Sequence, residues 1–335
     1  MAADSLEPAI GALLAQSGRS AAGFRIEPMA AGGNNRVFLV RCGAERLVAK
    51  WYWHDQADPR DRLGAEYAFL EHAWHMGLRC VPQPYARDPA AHLAIYEYVD
   101  GVKIAHADPS DVRAAAAFFA QLNAPASLGA ARALPVASEG CFSVDEHFAM
   151  VDARIARLAG VVIEGDVDSE AVEFSAELAS LWEREKYQIA RAMLDTARRL
   201  DPAERCLSPS DFGFHNALRR DGGHLCFIDF EYAGWDDPAK AVGDFFSHPG
   251  SPVPRGYYED FLTAAMAAFP QPEAMAERSR LLDPVFRVKW CCIILNEFLP
   301  AAAKRRRFAD ATVDTTARKR AQLVKARTLL ATLNH

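Results

Sequence analysis

The chain has 335 residues, half of them apolar, and a formal net charge of -6. It is long enough for one large or two medium domains, and its acidic balance argues against a globally basic nucleic-acid-binding protein. Seven cysteines without a CxxC pair argue against a disulfide framework or zinc site and fit a reducing cytosol. The start, MAADSLEPAI, lacks the basic flank of a signal peptide. No uncharged apolar run approaches the roughly 20 residues that span a bilayer. The expectation is a cytoplasmic chain with no membrane or nucleic-acid partner, acting as a monomer or homodimer. The basic run KRRR at 304–307 reads as a solvated helix end.

Residues 5–16 read as a short helix. FRIEPMA and the two β-rich runs at 37–42 and 46–52, joined at GAE, predict strands and a hairpin. Between them AAGGNN is a turn that Gly32 and Gly33 make permissive. Leu63, Tyr67, Leu70 and Trp74 fall at helical spacing, with Gly77 as a stop. VPQPYAR reads as a loop, and HLAIYEYVDG as a strand entering a linker.

From Pro109 the sequence turns helical. The segment at 170–200 is expected to hold more than one turn-bounded helix. Residues 211–237 are expected as loops and a hairpin, and helices resume near Arg255. Cys291 and Cys292 in WCCIILNEFL are expected as buried small hydrophobes. The fold class is α+β and bilobal. A small antiparallel sheet with one helix occupies residues 1–100, and a larger helical lobe occupies residues 101–335.

The stretch LSPSDFGFHNALRRDGGHLCFIDFEYAGWDDP contains two candidate aspartates, Asp211 and Asp229. DGGH is a strong turn signal between two short strands. A hairpin brings its open ends together, so Asn216 at the entrance and Asp229 at the exit become neighbours. An amide oxygen and a carboxylate beside a phosphate suit Mg²⁺, a hard cation with few protein ligands. Asp211, on the entering loop, can face the same cavity. Phosphoryl transfer needs this set: one carboxylate to take the proton of the attacking hydroxyl, and oxygen ligands for the cation. The order D-x4-N, hairpin, D matches that of protein kinases. On this mapping the literal DFG at 211–213 is a coincidence, and Asp211 takes the catalytic-loop slot. Asp229 takes the metal slot, with Glu231 where the kinase motif has glycine.

The sequence resembles the aminoglycoside phosphotransferase and choline kinase-like family, small-molecule kinases with a protein-kinase-like fold. The resemblance rests on Asp211, Asn216, Ile228, Asp229, Phe230, Ala233, Gly234, Asp237, Pro238, Asp244 and Phe245, in that order. Pro209 and Ser210 stand where the family has His-Gly. The resemblance implies ATP and Mg²⁺ as cofactors. It also implies a glycine-containing phosphate loop at Gly32, Gly33 and Asn35, a phosphate-pairing lysine at Lys50 and its partner Glu66. Glu97 and Tyr98 would lie in a linker that bonds adenine. Asp244 is expected to anchor the catalytic loop.

Taken singly, these residues have plainer readings. Asp211 can be an Asx turn, Lys50 a surface lysine, Glu66 a surface glutamate, and His215 solvent-facing or structural. The set of five, Lys50, Glu66, Asp211, Asn216 and Asp229, favours an active small-molecule kinase. The alternatives are an idle nucleotide-binding regulator of the same fold and a protein-modifying enzyme. The latter is disfavoured by the short path from DFEYAG to WDDPAKAVGDF. The sequence leaves the acceptor open among sugars, amino sugars, amino alcohols and aminoglycoside-like molecules. Candidate acceptor contacts are Glu231, Trp235, Asp236, Trp290 and Glu297, the last two aligned seven residues apart with Lys289 offset.

Overall fold

A computed structural model describes residues 6–29, 35–55, 58, 60–300 and 315–334. The chain divides into two compact units. The first holds Met1–Gly140 and Leu207–Trp235, the second Cys141–Cys206 and Asp236–His335. The basic run at 304–307 lies outside the described residues.

The first unit is built on a five-stranded antiparallel sheet. Its strands are β1 (Arg25–Met29), β2 (Arg36–Cys42), β3 (Glu45–Trp51), β4 (Pro84–Asp88) and β5 (Leu93–Glu97), in the order β1-β2-β3-β5-β4. The hairpin joining β2 and β3 pairs Arg41 with Arg46 and Val37 with Lys50. Successive strand residues face opposite sides. Leu47 and Ala49 therefore pack with Leu6, Ile10, Leu13 and Leu14 of helix α1 (Leu6–Gln16), while Lys50 takes the other side.

Helix α2 (Arg62–His75) starts at Asp61, whose carboxylate accepts the Gly64 N–H at 2.8 Å. It ends before Gly77, which adopts a left-handed φ of 82°. The segment expected as a loop around Pro84 is instead the edge strand β4. Proline is tolerated there because it opens an edge strand and its missing donor faces away from the ladder. A register shift follows at once, between Pro84 and Ala86.

Helix α3 (Pro109–Leu122) also packs in this unit, started by a reciprocal capping pair between Asp108 and Asp111. The predicted second hairpin is present. Its strands Ala217–Arg219 and Leu225–Phe227 pair from Ala217↔Phe227 to Arg219↔Leu225. The turn is made by Gly222 and Gly223, with φ of 86° and 85°, values an L side chain would resist.

The second unit is helical. Further short helices aside, it contains Val144–Leu158, Asp166–Ala192, Pro238–Ser247, Tyr258–Met266, Pro272–Leu295 and Thr315–Ala331. Two sequence expectations are corrected here. Residues 166–192 form a single helix of 27 residues. No glycine or proline interrupts it, and Val167, Ala171, Phe174, Leu178, Leu181, Trp182 and Ile189 carry one buried stripe along it. Helix Pro238–Ser247 begins well before Arg255, capped by Asp237 and opened by Pro238 at a position that needs no N–H.

The helix Pro238–Ser247 lies against Pro272–Leu295 so closely that a Cβ on Gly243 would sit 2.1 Å from Phe286 Cδ2. Cys291 and Cys292 lie in the apolar core as expected, and all seven cysteines are thiols. Among the described residues no helix is long and apolar enough to cross a membrane.

Candidate active site

Lys50, Glu66, Asp211, Asn216 and Asp229 all fall within the first unit. Lys50 leaves β3 and is 7% exposed. Its Nζ donates to Glu66 Oε2 at 2.7 Å and also to Asp229. Glu66, 4% exposed on α2, accepts in addition the Tyr52 hydroxyl at 2.6 Å and the Phe230 backbone N–H at 3.3 Å. Tyr52 in turn meets the Tyr96 hydroxyl at 2.7 Å. Both oxygens of a buried carboxylate are thereby used, which is what burial of a charge demands.

Burial works to lower the Lys50 ammonium's pKa, but Glu66, Asp229 and Glu231 outweigh it and hold it above its ordinary value. Burial pushes the Glu66 carboxyl up, against the opposing pull of Lys50. Lys50 is therefore a fixed cation.

The hairpin does what its arithmetic requires. The Ile228 N–H donates to the Asn216 carbonyl at 2.8 Å, so the residues preceding the first strand and following the second are adjacent. Asp229 follows directly, with φ of 67°. That is a left-handed conformation costly for a residue with a Cβ, and it turns the Asp229 side chain back toward Lys50.

The Asn216 amide donates to Asp211 twice, to the backbone carbonyl at 3.1 Å and to Oδ2 at 3.2 Å. With its Nδ2 so directed, the amide oxygen is left as an acceptor for a hard cation. Asn216 and Asp229 thus offer two hard oxygen donors at the adjoining open ends of the hairpin, a set that fits Mg²⁺.

Aromatic packing fixes both loops. Phe212, next to Asp211, packs on Phe118, Phe119 and Phe227 at centroid distances of 5.9, 6.3 and 5.4 Å. Phe230, next to Asp229, stacks on Phe69 at 4.6 Å and also reaches Phe118 at 6.5 Å. One cluster therefore sets the register of both aspartates. Behind it, fully buried Asn123 clamps the strand entering the loop. Its Oδ1 accepts the Leu207 N–H at 2.7 Å and its Nδ2 donates to the Leu207 carbonyl at 3.1 Å.

Residues 209–210 depart from the family pattern in a visible way. Ser210 has φ of 66°, the region where glycine is favoured. Its N–H donates to Ser208 Oγ at 3.0 Å. His215 was expected as solvent-facing or structural; its Nε2 lies 3.2 Å from Asp211 Oδ1. The ring has room because Gly213 has no Cβ, which would sit 2.7 Å from His215 Nδ1. A histidine four residues after an aspartate in a non-helical loop carries no spacing signal, so sequence reasoning missed it. Asn123 and Tyr52 were missed for the same reason.

The remaining candidates are placed as follows. Gly32 and Gly33 lie outside the described residues. Asn35 Nδ2 donates to Glu231 Oε2 at 2.5 Å, and its Oδ1 accepts the Trp53 N–H at 3.1 Å. Glu231 is buried and also lies 3.8 Å from Arg62 Nε. Glu97 closes β5 opposite Leu47, and its carboxylate accepts from Arg220 at 2.8 Å and from the Gln83 N–H at 3.1 Å. Tyr98 lies under the Arg46 guanidinium at 4.5 Å. Trp235 is half-buried, its indole N–H on the Ala131 carbonyl at 3.1 Å.

A cavity of about 420 Å³ in this unit is lined by residues such as Tyr52, Trp53, Asp58, Arg62 and His92, and by none of Lys50, Asp211 and Asp229. The functional assignment therefore rests on the carboxylates and the lysine.

In the second unit, Asp236 is fully buried and its carboxylate holds Lys240 at 2.5 Å and the Cys141 N–H at 3.1 Å. Asp244 receives Lys289 Nζ at 2.6 Å and Trp290 Nε1 at 2.8 Å. Within the second unit these two bonds tie Asp244 to helix Pro272–Leu295. Lys289 and Trp290 leave the helix one residue apart, yet both tips converge on this one carboxylate. Glu297 is buried and 3.2 Å from Arg318 Nε.

The chain matches the phosphotransferase enzyme family over residues 25–278 and belongs to it. No protein of curated function matches the sequence. Solved structures share the fold at low identity. The macrolide 2′-phosphotransferase MphH from Brachybacterium faecium is 18% identical with a TM-score of 0.56, covering 95% of this chain and 97% of that one. The choline kinase LicA from Streptococcus pneumoniae is 16% identical with a TM-score of 0.54, covering 97% and 99%. A spectinomycin phosphotransferase in complex with ADP and spectinomycin is 10% identical with a TM-score of 0.57, covering 94% and 98%. The chain is thus an α+β phosphotransferase with the protein-kinase-like fold shared by these kinases.

Proposed function

We propose that this chain transfers the γ-phosphoryl group of ATP to a hydroxyl of a small molecule, with Asp211 as the base. The observation that carries the reading is the ion-pair chain Glu66–Lys50–Asp229, in the same compact unit as the Asn216–Asp211 pair. A fixed buried cation suits nucleotide phosphates, and an oriented carboxylate suits an attacking hydroxyl. An idle binding protein has no use for both.

In this reading Lys50, held by Glu66, pairs with the nucleotide phosphates. Gly32, Gly33 and Asn35 carry the loop over those phosphates, Asn35 through its hold on Glu231. The linker at Glu97 and Tyr98 meets the adenine, within a nucleotide lobe of residues 1–100. Asp229 and Asn216 would hold Mg²⁺, which neutralises charge on the phosphate oxygens when bound.

Of the acceptor candidates, Asp236, Trp290 and Glu297 are themselves buried and bonded to Lys240, Asp244 and Arg318, and we assign them to the scaffold. Glu231 likewise steadies Asn35 and Arg62. Trp235, half-buried, is the one we keep for the acceptor. We place the activity in the cytoplasm, in a monomer or homodimer.

The test is incubation with γ-labelled ATP and magnesium, with and without a metabolite pool. Label recovered in a small molecule supports the proposal. Label in protein points to a protein-modifying enzyme, and label in neither to an idle nucleotide-binding protein.

A further inference from the structure

Lys50, Tyr52 and Tyr96 share the face of the five-stranded sheet that points away from α1. Lys50 and Tyr52 are two residues apart and so lie on one side. Tyr52 extends the ladder past β3 by donating its N–H to the His92 carbonyl at 2.9 Å. Tyr96 on β5 stands opposite Val48, two residues before Lys50. Both tyrosines are buried, as is Glu66. Their polar atoms form one chain, from the Tyr96 hydroxyl through the Tyr52 hydroxyl to Glu66 Oε2. That oxygen is also the one that accepts from Lys50.

The chain of hydroxyls runs one way. Glu66, paired with a fixed cation, is a carboxylate and can only accept, so the Tyr52 proton points at it. The Tyr52 oxygen is then the acceptor and Tyr96 the donor. Burial and the nearby Glu66 charge hold both phenols well above their ordinary pKa, so both keep their protons. Donation from Tyr96 polarises Tyr52 and strengthens its bond to the carboxylate. Phenylalanine would fill either place with no buried hydroxyl to satisfy. What the hydroxyls add is a second hold on Glu66 Oε2, made from the sheet. The rings serve the same end: Tyr52 lies 5.1 Å from Lys50 Nζ, and Tyr96 meets Tyr67 of α2 at 6.0 Å between centroids. The pair therefore fastens α2, which carries Glu66, to β3 and β5.

We propose, resting on the phosphotransferase reading, that Tyr52 and Tyr96 are positioning residues for the phosphoryl donor. Their hydroxyl chain fixes Glu66 against the sheet before the nucleotide arrives, and Glu66 aims Lys50 at the phosphates. A cation held in place beforehand loses less freedom on binding. Tyr96 acts through Tyr52, and Tyr52 through Glu66 and Lys50.

The test is calorimetric titration of the full chain with a nonhydrolysable ATP analogue and magnesium, and separately with adenosine. It compares the wild type with Tyr52→Phe, Tyr96→Phe and the double variant, all of which keep the rings. Tyr52→Phe is expected to weaken the analogue about tenfold, and Tyr96→Phe, which leaves the Tyr52–Glu66 bond in place, about threefold. The double variant is expected to match Tyr52→Phe, whereas independent sites would multiply to about thirtyfold. Adenosine has no phosphate for Lys50 to meet and is expected to bind every variant like the wild type, which a general loosening of the sheet would not allow. Unchanged analogue affinity in Tyr52→Phe, a matching loss for adenosine, or multiplied losses in the double variant would each overturn the proposal and leave the phosphotransferase reading standing. A wild type that binds no nucleotide would overturn both.

Discussion

Lys50 Nζ lies 2.7 Å from Glu66 Oε2, and both side chains are buried. The same ammonium pairs with Asp229, so removing it strands two carboxylates. Breaking a buried pair costs about 3–5 kcal/mol, here toward the lower end because the Asp229 side chain is 40% exposed. Lys50→Ala is expected to lower the urea midpoint accordingly, raise the KM for ATP and lower kcat. Glu66→Gln has one acceptor oxygen where Glu66 uses two: with that oxygen toward Lys50 and Tyr52, its amide nitrogen faces the Phe230 N–H, and the cost should be about 1–2 kcal/mol, less than for Lys50→Ala. Unfolding curves and steady-state kinetics on both variants check this, and equal stability losses would contradict the network described.

Gly213 gives His215 the space to reach Asp211. Gly213→Ala would put a Cβ 2.7 Å from the imidazole and displace it. The expected result is a fall in kcat on the order of tenfold, the scale of one lost positioning contact of about 1.4 kcal/mol, with the KM for ATP within twofold. A change confined to the ATP constant would show that His215 does not position Asp211.

Ser210 holds φ of 66°. A left-handed L residue costs on the order of 1–2 kcal/mol, and glycine's extra unfolded-state entropy returns about 0.5–1 of that. Ser210→Gly should therefore stabilise the protein by up to about 1 kcal/mol, read from denaturant unfolding. Destabilisation by that amount would mean that the strain is not there.

Much of this site was legible because its signals are local. A DGGH turn between two β-rich runs fixes which ends meet, so Asn216 and Asp229 followed from counting. Lys50 and Glu66 were carried by resemblance, and their burial was not readable from a single sequence. His215, Tyr52 and Asn123 act across loops without periodic spacing. The edge strand at Pro84 was missed because two prolines outweighed a short run with a single buried residue, Ala86. The helix at Pro238 was missed because its cap, Asp-Pro, also reads as a loop signature.

Asp237 is buried with His147 at 3.0 Å and Arg278 at 2.6 Å. Burial works against its ionisation, but Arg278 and His147 hold its pKa well below the usual carboxylate range. An acid depressed in the folded state contributes stability that is fully present above its unfolded pKa of about 3.9. That stability is lost as the pH falls toward the folded value. The urea midpoint should drop steeply below about pH 4 in the wild type. Asp237→Asn should be destabilised at pH 7 and show a shallower acid limb; an unchanged acid limb would contradict the assignment.

The central claim is that Asp211 acts on the acceptor hydroxyl and Asp229 on the cation. Its most direct test is magnesium-nucleotide affinity measured on Asp211→Asn alongside its transfer rate. The account predicts that transfer falls about 10²–10⁴-fold, the range for a lost general base, while affinity stays within a few-fold of wild type. A loss of nucleotide affinity matching the loss of transfer would assign Asp211 to the cation and contradict the account.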